Sequence, residues 1–576
     1  MVENRLKGLG VTKKIGIGKA VKLTDSGVVI HKTRITDTEA EVCKFYKVRD
    51  LFIEETENLF KDLSQKLDNN EVALIIQSHI AIVNDSQFEE DIKTQIVENK
   101  MCLVWAVDVV CSSYIKMFSQ IDNEVLSQRA LDFEDIRNRL AVIINGNEKS
   151  SDNRITISVP NAVLVVKELH PSMTARMDAT ELLGIVVENG GETSHAAILA
   201  KALGIPTVLG VKGACELIEE GDTVVVDGDS GEVIVRPSQE QLKVSDEKRT
   251  HLIDSEKELT VYKDKETCTK DGVSVSLYAN IGSEEEAVRV NEFNPDGIGL
   301  FRTEFLFMNG NNMPIMEEQL LAYKNAVLAS GERILTIRTL DIGGDKEVPY
   351  LGLEREVNPF LGLRGIRLCL EKEAMFREQI EAILRASAYG CGNVRIMIPL
   401  VTNIEEIRAV KGIISSVKET LNATHTAYDE NIKVGIMIET PAAVIMADAF
   451  AGEVDFFSIG TNDLTQYTMV VDRGNEKVAH LFDTFSPAVL RAIKHVVSVA
   501  DAAGIEVSMC GEAAADAAMI PVLLGLGLRK FSVASSLILE TRRNIASWDV
   551  ESAIEIATKI MSETSVEEIR RYGSDL

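Results

Sequence analysis

Apolar positions follow different rhythms in different parts of the chain. Between residues 37 and 147 there is almost no Pro or Gly, and Leu51, Ile53, Leu59 and Leu63 recur between charged positions at helical spacing. That pattern predicts a bundle of four or five helices. On either side the texture changes to short runs such as Val163-Leu164-Val165-Val166 and Thr223-Val224-Val225-Val226, bounded by turn residues, as in mixed α/β structure. The helical part is therefore expected as an insertion into an α/β domain made of residues 1–36 and 148–236. Residues 237–272 are charged, helix-compatible from Gln239 to Leu259 and free of β-rich runs, which marks a linker.

Beyond the linker, β-type runs alternate with helical stretches: Val275–Ile281, Gly297–Arg302, Leu335–Leu340, Val394–Leu400, Val434–Glu439, Phe456–Gly460, Glu506–Cys510 and Lys530–Ala534. Eight such runs predict a (β/α)8 TIM barrel over residues 273–576. Barrel enzymes carry their reactive side chains at the C-terminal ends of the strands and in the loops that follow. Here those ends carry Asn280, Arg302, Arg338, Glu439, Asn462, Asp463 and Cys510. Two arginines, carboxylates, amides and a thiol would thus converge on one rim.

Composition narrows the function classes. The 576 residues fill roughly four structural units at about 150 residues each, and 45% apolar content excludes a disordered chain. A net charge of −28 argues against a nucleic-acid partner, which needs positive charge against phosphate, and fits a basic protein partner. Eight cysteines are scattered without CxxC pairs, as in a reducing cytoplasm rather than a disulfide framework or zinc site. No stretch reads as a signal peptide or membrane span, so a cytoplasmic protein without membrane insertion is expected.

Two places carry candidate chemistry. The run from Leu183 to His195 reads as strand, Gly-rich turn and helix start, with the helix running through Lys201 and stopped by Gly204 and Pro206. His195 would then lie at a helix N-terminus, where free N–H groups and the dipole favour a phosphoryl group carried on its ring. On the barrel rim, Arg302, Arg338 and Arg473 suit a small substrate bearing both phosphate and carboxylate, because the guanidinium fork pairs with either group. Glu439 and Asp463 supply hard oxygens for a divalent metal such as Mg2+.

The full strings are more specific. Gly190-Gly191-Glu192-Thr193-Ser194-His195-Ala196-Ala197-Ile198, followed by Gly204-Ile205-Pro206, resembles the phosphohistidine motif of the enzymes that use phosphoenolpyruvate. That family includes Enzyme I of the bacterial sugar phosphotransferase system, pyruvate phosphate dikinase and phosphoenolpyruvate synthase. Gly297–Leu306, Arg338–Lys346, Asn358–Arg364, Gly460–Tyr467, Asp472–Asn475 and Cys510–Glu512 resemble the Enzyme I barrel from end to end. The resemblance implies that Arg302, Arg338 and Arg473 bind phosphoenolpyruvate with help from Lys346 and Arg364, and that Asn462 and the Asp463 backbone contact its phosphate. It implies Mg2+ on Glu439 and Asp463, and Cys510 as the acid that protonates the enolate to give pyruvate. His195 would take the phosphoryl group and pass it to a histidine of the phosphocarrier HPr, the first step of sugar uptake.

HPr would dock on the helical insertion, where Gln128–Ile136 resembles a motif of that subdomain, and the enzyme would be a homodimer joined through its barrel. His195 and the rim lie in different domains, so the α/β domain must swivel, with a hinge in the linker. Two departures stand out. The segment Lys7–Ala20 lacks the Ser-Pro usual before the family's Gly-rich strand and fails the P-loop spacing. Glu192 stands where Enzyme I has arginine. A dikinase or synthase needs a nucleotide-binding region for which no length remains, and a purely binding protein is disfavoured because every reactive position is filled. A regulatory paralogue that phosphorylates a carrier outside sugar uptake stays open.

Overall fold

The computed structural model describes residues 4–22, 30–66, 78–120, 124–145, 161–169, 173, 182–191, 195–308, 312–343, 348–354, 356–475 and 477–574. The chain divides into two compact units, Met1–Ser255 and Glu256–Leu576.

The first unit is built on an eight-stranded sheet. Its strands are β1 (Arg5–Lys7), β2 (Leu9–Gly10), β3 (Ile15–Lys22), β4 (Ala162–Val166), β5 (Leu182–Val187), β6 (Thr207–Leu209), β7 (Thr223–Asp227) and β8 (Glu232–Val235). The order is β1-β8-β7-β3-β4-β5-β6-β2. Strands β3 and β4 are parallel neighbours, Lys19 opposite Ala162, although the helical segment separates them in sequence. β4 is buried along its whole length, as its unbroken apolar run requires of a central parallel strand.

The consecutive strands β1 and β2 lie at opposite ends of the sheet order, β1 on β8 and β2 on β6. Gly8 joins them: its N–H donates to the Gly231 carbonyl at 2.9 Å, and a Cβ there would collide with the Leu209 carbonyl oxygen. Gly16 likewise leaves room for the backbone of Leu183. The glycines of this segment thus serve close backbone approach.

Between β3 and β4 the described residues form long helices at Thr38–Lys66, Ser86–Val97, Leu103–Ser119 and Glu124–Ile144. Their apolar faces meet in one core of Phe45, Phe52, Phe88, Ile92, Val107, Phe133, Ile136 and neighbours, with Tyr114 stacked on Phe133 at 4.7 Å. Asp85 caps the helix Ser86–Val97 by accepting from the Gln87 and Phe88 N–H groups. His79 is buried here, its Nε2 3.3 Å from Asp132 and its Nδ1 3.8 Å from Asp135. Both aspartates belong to the motif Gln128–Ile136, which therefore also serves the bundle's interior.

The charged stretch after Pro237 is one helix, Gln239–Thr260. Its first half is docked on the sheet. Leu242 and Leu252 pack against Ile15, Val225 and Ile234, and Lys248 Nζ pairs with Asp227 at 2.7 Å. The division between the two units falls inside this helix.

The second unit is a closed parallel barrel of β9 (Ser276–Ile281), β10 (Gly297–Arg302), β11 (Ile334–Arg338), β12 (Val394–Ile398), β13 (Lys433–Ile438), β14 (Phe456–Ile459), β15 (Glu506–Met509) and β16 (Lys530–Ala534), closed by pairing of β16 with β9. All eight expected runs are strands, with ends that differ by at most two residues. Leu300, Met397, Met437, Phe456 and Cys510 fill the interior. Arg542, almost fully buried, donates to Thr267 Oγ1 and to the carbonyls of Tyr262, Lys263 and Asn294, which pins the incoming chain to the barrel.

At the N-terminal end of the strands, Glu506 accepts from Arg395 at 2.6 Å and pairs with Lys530 at 2.9 Å, while Arg395 lies 5.4 Å over the Phe456 ring. Burial opposes the Glu506 charge, but the two cations outweigh it and bring the carboxyl from 4.5 down to about 2. A depressed folded-state value adds stability that is full above the unfolded value and is lost as pH falls through the folded one. Glu506→Gln is therefore expected to lower the urea midpoint at pH 7, by a gap that narrows steadily below pH 4.5. A gap that stays constant down to pH 3 would remove this ion pair from the acid stability of the barrel.

Candidate functional site

The phosphoryl-carrier candidate sits on the strand-turn-helix expected for it. Strand β5 is followed by a turn in which Gly190 adopts φ +113°, and His195 opens the helix His195–Leu203, which stops at Gly204 with φ +62°. Ala196, Ala197 and Leu199 bury that helix against β4 and β5, so its N-terminus is set by the core. Glu192, Thr193 and Ser194 lie outside the described residues.

Of the barrel residues expected to act, Lys346 also lies outside the described residues. Arg302 ends β10 and is exposed; Arg338 ends β11 and is buried. Glu439 follows β13, Asp463 lies in the first turn of the helix Thr461–Met469 after β14, and Cys510 follows β15. Parallel strands place all of these at one end of the barrel.

The rim is organised by alternating buried charges. Glu304 accepts from Arg338, whose Nη1 lies 3.4 Å from Asp341. Asp341 accepts both Nε and Nη2 of Arg364, at 3.0 and 3.1 Å. Arg364 then reaches Asp463 at 2.6 Å and the Tyr467 hydroxyl at 3.1 Å. Burial works against charge on Arg338 and Arg364, but their carboxylate partners outweigh it and keep both guanidiniums charged. Arg364 is thereby committed to ordering Asp463, a role in addition to the substrate contact expected of it.

Glu439 is 1% exposed and accepts the Leu400 N–H at 2.6 Å. Burial, then the neighbouring Asp463 and Asp341, push its carboxyl well above the usual carboxylate range against the pull of Arg338 and Arg364. Gly460 makes room for it, since a Cβ there would meet Glu439 Oε2 at 2.7 Å. Among the described residues no cluster of three or more His, Cys, Asp or Glu is arranged to hold a metal ion. The pair Glu439 and Asp463 nevertheless fits Mg2+, which binds through one or two carboxylates and completes its shell with water and substrate phosphate. A cation would also relieve the crowding of like charge that raises Glu439.

Cys510 is buried, its N–H bonded to the Ile459 carbonyl at 3.1 Å. Burial pushes the thiol up, assisted by Glu439 and opposed by Ser458, Arg338 and Arg302, so the resting group is the thiol rather than the thiolate. Asn280, expected among the converging rim groups, holds the wall together: its Nδ2 donates to the carbonyls of Cys510 and Ser532, both at 3.1 Å. Asn462 and Glu512 hold one another, with Asn462 Nδ2 donating to Glu512 Oε1 at 2.8 Å and the Glu512 N–H donating back at 3.2 Å. Arg473 is exposed in the turn beyond the helix Thr461–Met469.

Sequence reasoning passed over Glu304, Asp341, Tyr467 and Gln466, which hold this site together. All four stand inside strings already singled out, and their spacing from Arg302, Arg338 and Asp463 was the available signal.

Comparison with known proteins identifies the family. The family model for the PEP-utilising enzyme, PEP-binding domain, matches residues 256–550; the mobile domain matches 158–231 and the N-terminal domain 7–129. The chain is 40% identical over 567 residues to a phosphoenolpyruvate-protein phosphotransferase of Bacillus sp. (strain S), covering 98% of this chain and 97% of that one. It is also 40% identical to the protein of the same name from Bacillus subtilis (strain 168), covering 98% of each. A solution structure of Enzyme I (nEIt) is 29% identical over 43% of this chain and 99% of that chain, with a TM-score of 0.35. On the strength of these full-length matches, the chain belongs to the phosphoenolpyruvate-protein phosphotransferase family of the PEP-utilising enzymes, and it is a phosphotransferase.

Proposed function

We propose that this enzyme binds phosphoenolpyruvate at the barrel rim, transfers its phosphoryl group to His195 with release of pyruvate, and then passes that group to a histidine of HPr. The observation that carries the reading is the convergence of Arg302, Arg338, Glu439, Asp463 and a protonated Cys510 on one end of the barrel. The substrate carries a carboxylate and a phosphate, and the arginines bind and orient both. Arg473 and Asn462 add to the phosphate contacts, with Lys346 assisting and Arg364 keeping Asp463 in place. Mg2+ held by Glu439 and Asp463 supplies neutralising charge to the phosphoryl group when bound.

In the transfer, a ring nitrogen of His195 forms a P–N bond as the P–O bond to the enol oxygen breaks, and the electron pair stays with that oxygen. The enolate collapses to a ketone as its methylene carbon takes the proton of Cys510 Sγ, which leaves a thiolate to be reprotonated from solvent. Phosphoryl transfer depends mostly on positioning and charge neutralisation, which a rim of preset cations provides.

The carrier reading is supported by the helical segment and by the net charge of −28, which steers a basic docking face. A homodimer through the barrel is supported by exposed apolar side chains such as Val357, Leu361 and Ile445. A cytoplasmic setting is supported by eight free cysteines, and no helix among the described residues is long and apolar enough to cross a membrane. The swivel of the α/β domain has a narrow place to act. Leu252 is anchored on the sheet and Tyr262 is clasped by Arg542 within the barrel unit, so the joint lies between them.

Three outcomes test this reading. His195→Ala is expected to abolish incorporation of label from radiolabelled phosphoenolpyruvate while substrate still binds; acid-labile label persisting in that variant would sink it. Cys510→Ala should slow pyruvate formation by about 10²- to 10⁴-fold, the usual share of general acid catalysis, without weakening Mg2+ binding; unchanged turnover would exclude Cys510 as the acid. Label on the wild-type enzyme should pass to added HPr. Label that stays on the enzyme would point to a different carrier, as for a regulatory paralogue, and no label at all would turn attention to Glu192.

A further inference from the structure

Arg473 differs from the two buried arginines of the site. Arg338 and Arg364 are buried in ion pairs, whereas Arg473 is exposed and has no ion pair among the described residues. What holds it is its backbone. Gln466, 4% exposed, accepts the Arg473 N–H at its Oε1 at 3.3 Å. The Gln466 carbonyl accepts the N–H groups of Val470 and Val471. One residue therefore grips both ends of the turn that presents Arg473.

That turn is strained. Val470 sits at φ +56° and is 88% exposed. A β-branched residue is rarely found in this region, and its exposure means that no packing compensates. Such a conformation persists only where the surrounding bonds dictate it. Gln466 shows the complementary sign: its Nε2 is buried without a hydrogen-bond partner among the described residues. Because the amide oxygen is committed to the Arg473 N–H, the group cannot turn over to satisfy the nitrogen. Gln466 is three residues beyond Asp463 on the same helix, so the two residues lie about one helical turn apart on neighbouring positions of its surface. A buried donor left unpaired is unfavourable, and its retention beside a substrate-binding turn fits a group arranged for the liganded state.

We propose that Gln466 is the positioning residue for Arg473: it clamps the strained turn so that the guanidinium meets the anionic substrate, and its amide N–H gains a partner when substrate binds. The proposal rests on the reading of Arg473 as a phosphoenolpyruvate-binding residue.

The test uses the full-length enzyme with Mg2+ and follows single-turnover pyruvate release against phosphoenolpyruvate concentration. Gln466→Met, close in shape but without polar atoms, is expected to raise half-saturation about tenfold and leave the saturating rate within about twofold, since misplacing a binding group by a fraction of an ångström is felt first in binding. In an Arg473→Ala background the same change should add nothing, because Gln466 acts through Arg473. Val470→Gly, which lets the backbone adopt this turn without strain and leaves Gln466 in place, should leave half-saturation no higher than that of the wild type with no loss of thermal midpoint. Independent, multiplying effects of Gln466→Met and Arg473→Ala would overturn the proposal, as would a Gln466→Met variant that lost saturating rate alone. If Gln466→Met fails to fold, a clearly raised half-saturation in Val470→Gly overturns it instead. Should Arg473→Ala bind phosphoenolpyruvate like the wild type, the substrate-binding reading of Arg473 fails whatever Gln466 does.

Discussion

The barrel rim depends on one constraint: charges taken out of water must be paired, and here they are paired in series. Glu304, Arg338, Asp341, Arg364 and Asp463 alternate in sign along a continuous path, and each is 7% exposed or less. An unpaired ion at such depth costs several kcal/mol, while a pair with its remaining hydrogen bonds satisfied can recover most of that. The series lets the protein hold two guanidiniums and several carboxylates ready before substrate arrives. Their orientation is set during folding, so little reorganisation remains for the reaction itself. The network also makes the site cooperative in the structural sense, because loss of any one member strands the charge beside it.

This constraint explains what was legible in the sequence and what was not. Strands such as Gly297–Arg302 and Lys530–Ala534 announce themselves through short apolar runs between turns, because a buried parallel strand has no alternative composition. The rim followed from topology alone: once the runs are barrel strands, Arg302, Arg338 and Cys510 must share an end. The roles of Glu304 and Asp341 did not follow, since each meets its partners across loops whose course no local pattern records. Asn280 shows the opposite failure. Its place at a strand end suggested chemistry, but its amide bonds the backbone of Cys510 and Ser532 and serves the wall. At the N-terminus, glycines that could be read as a loop for phosphate are strand residues pressed against neighbouring backbone.

The linker was legible as a helix and opaque as a mechanical part. Its charged composition marked it as a linker with a hinge, yet Leu242, Lys248 and Leu252 fasten much of it to the sheet. These contacts depend on Ile15, Asp227 and Ile234, which are remote in sequence and invisible to any window drawn around the linker itself.

The two short strands β1 and β2, joined by Gly8, bear on how the first unit is made. Leu9 pairs with Leu209 and Arg5 with Ile234, so β1 and β2 are synthesised long before their partners and are among the last strands to find their places. The helical segment, whose contacts are mostly local, meets no such delay and can assemble while the amino-terminal strands wait. β1 and β2 are thus the keystone of their domain rather than its seed, and a nascent chain halted before β8 holds a finished bundle beside a sheet that cannot yet be completed.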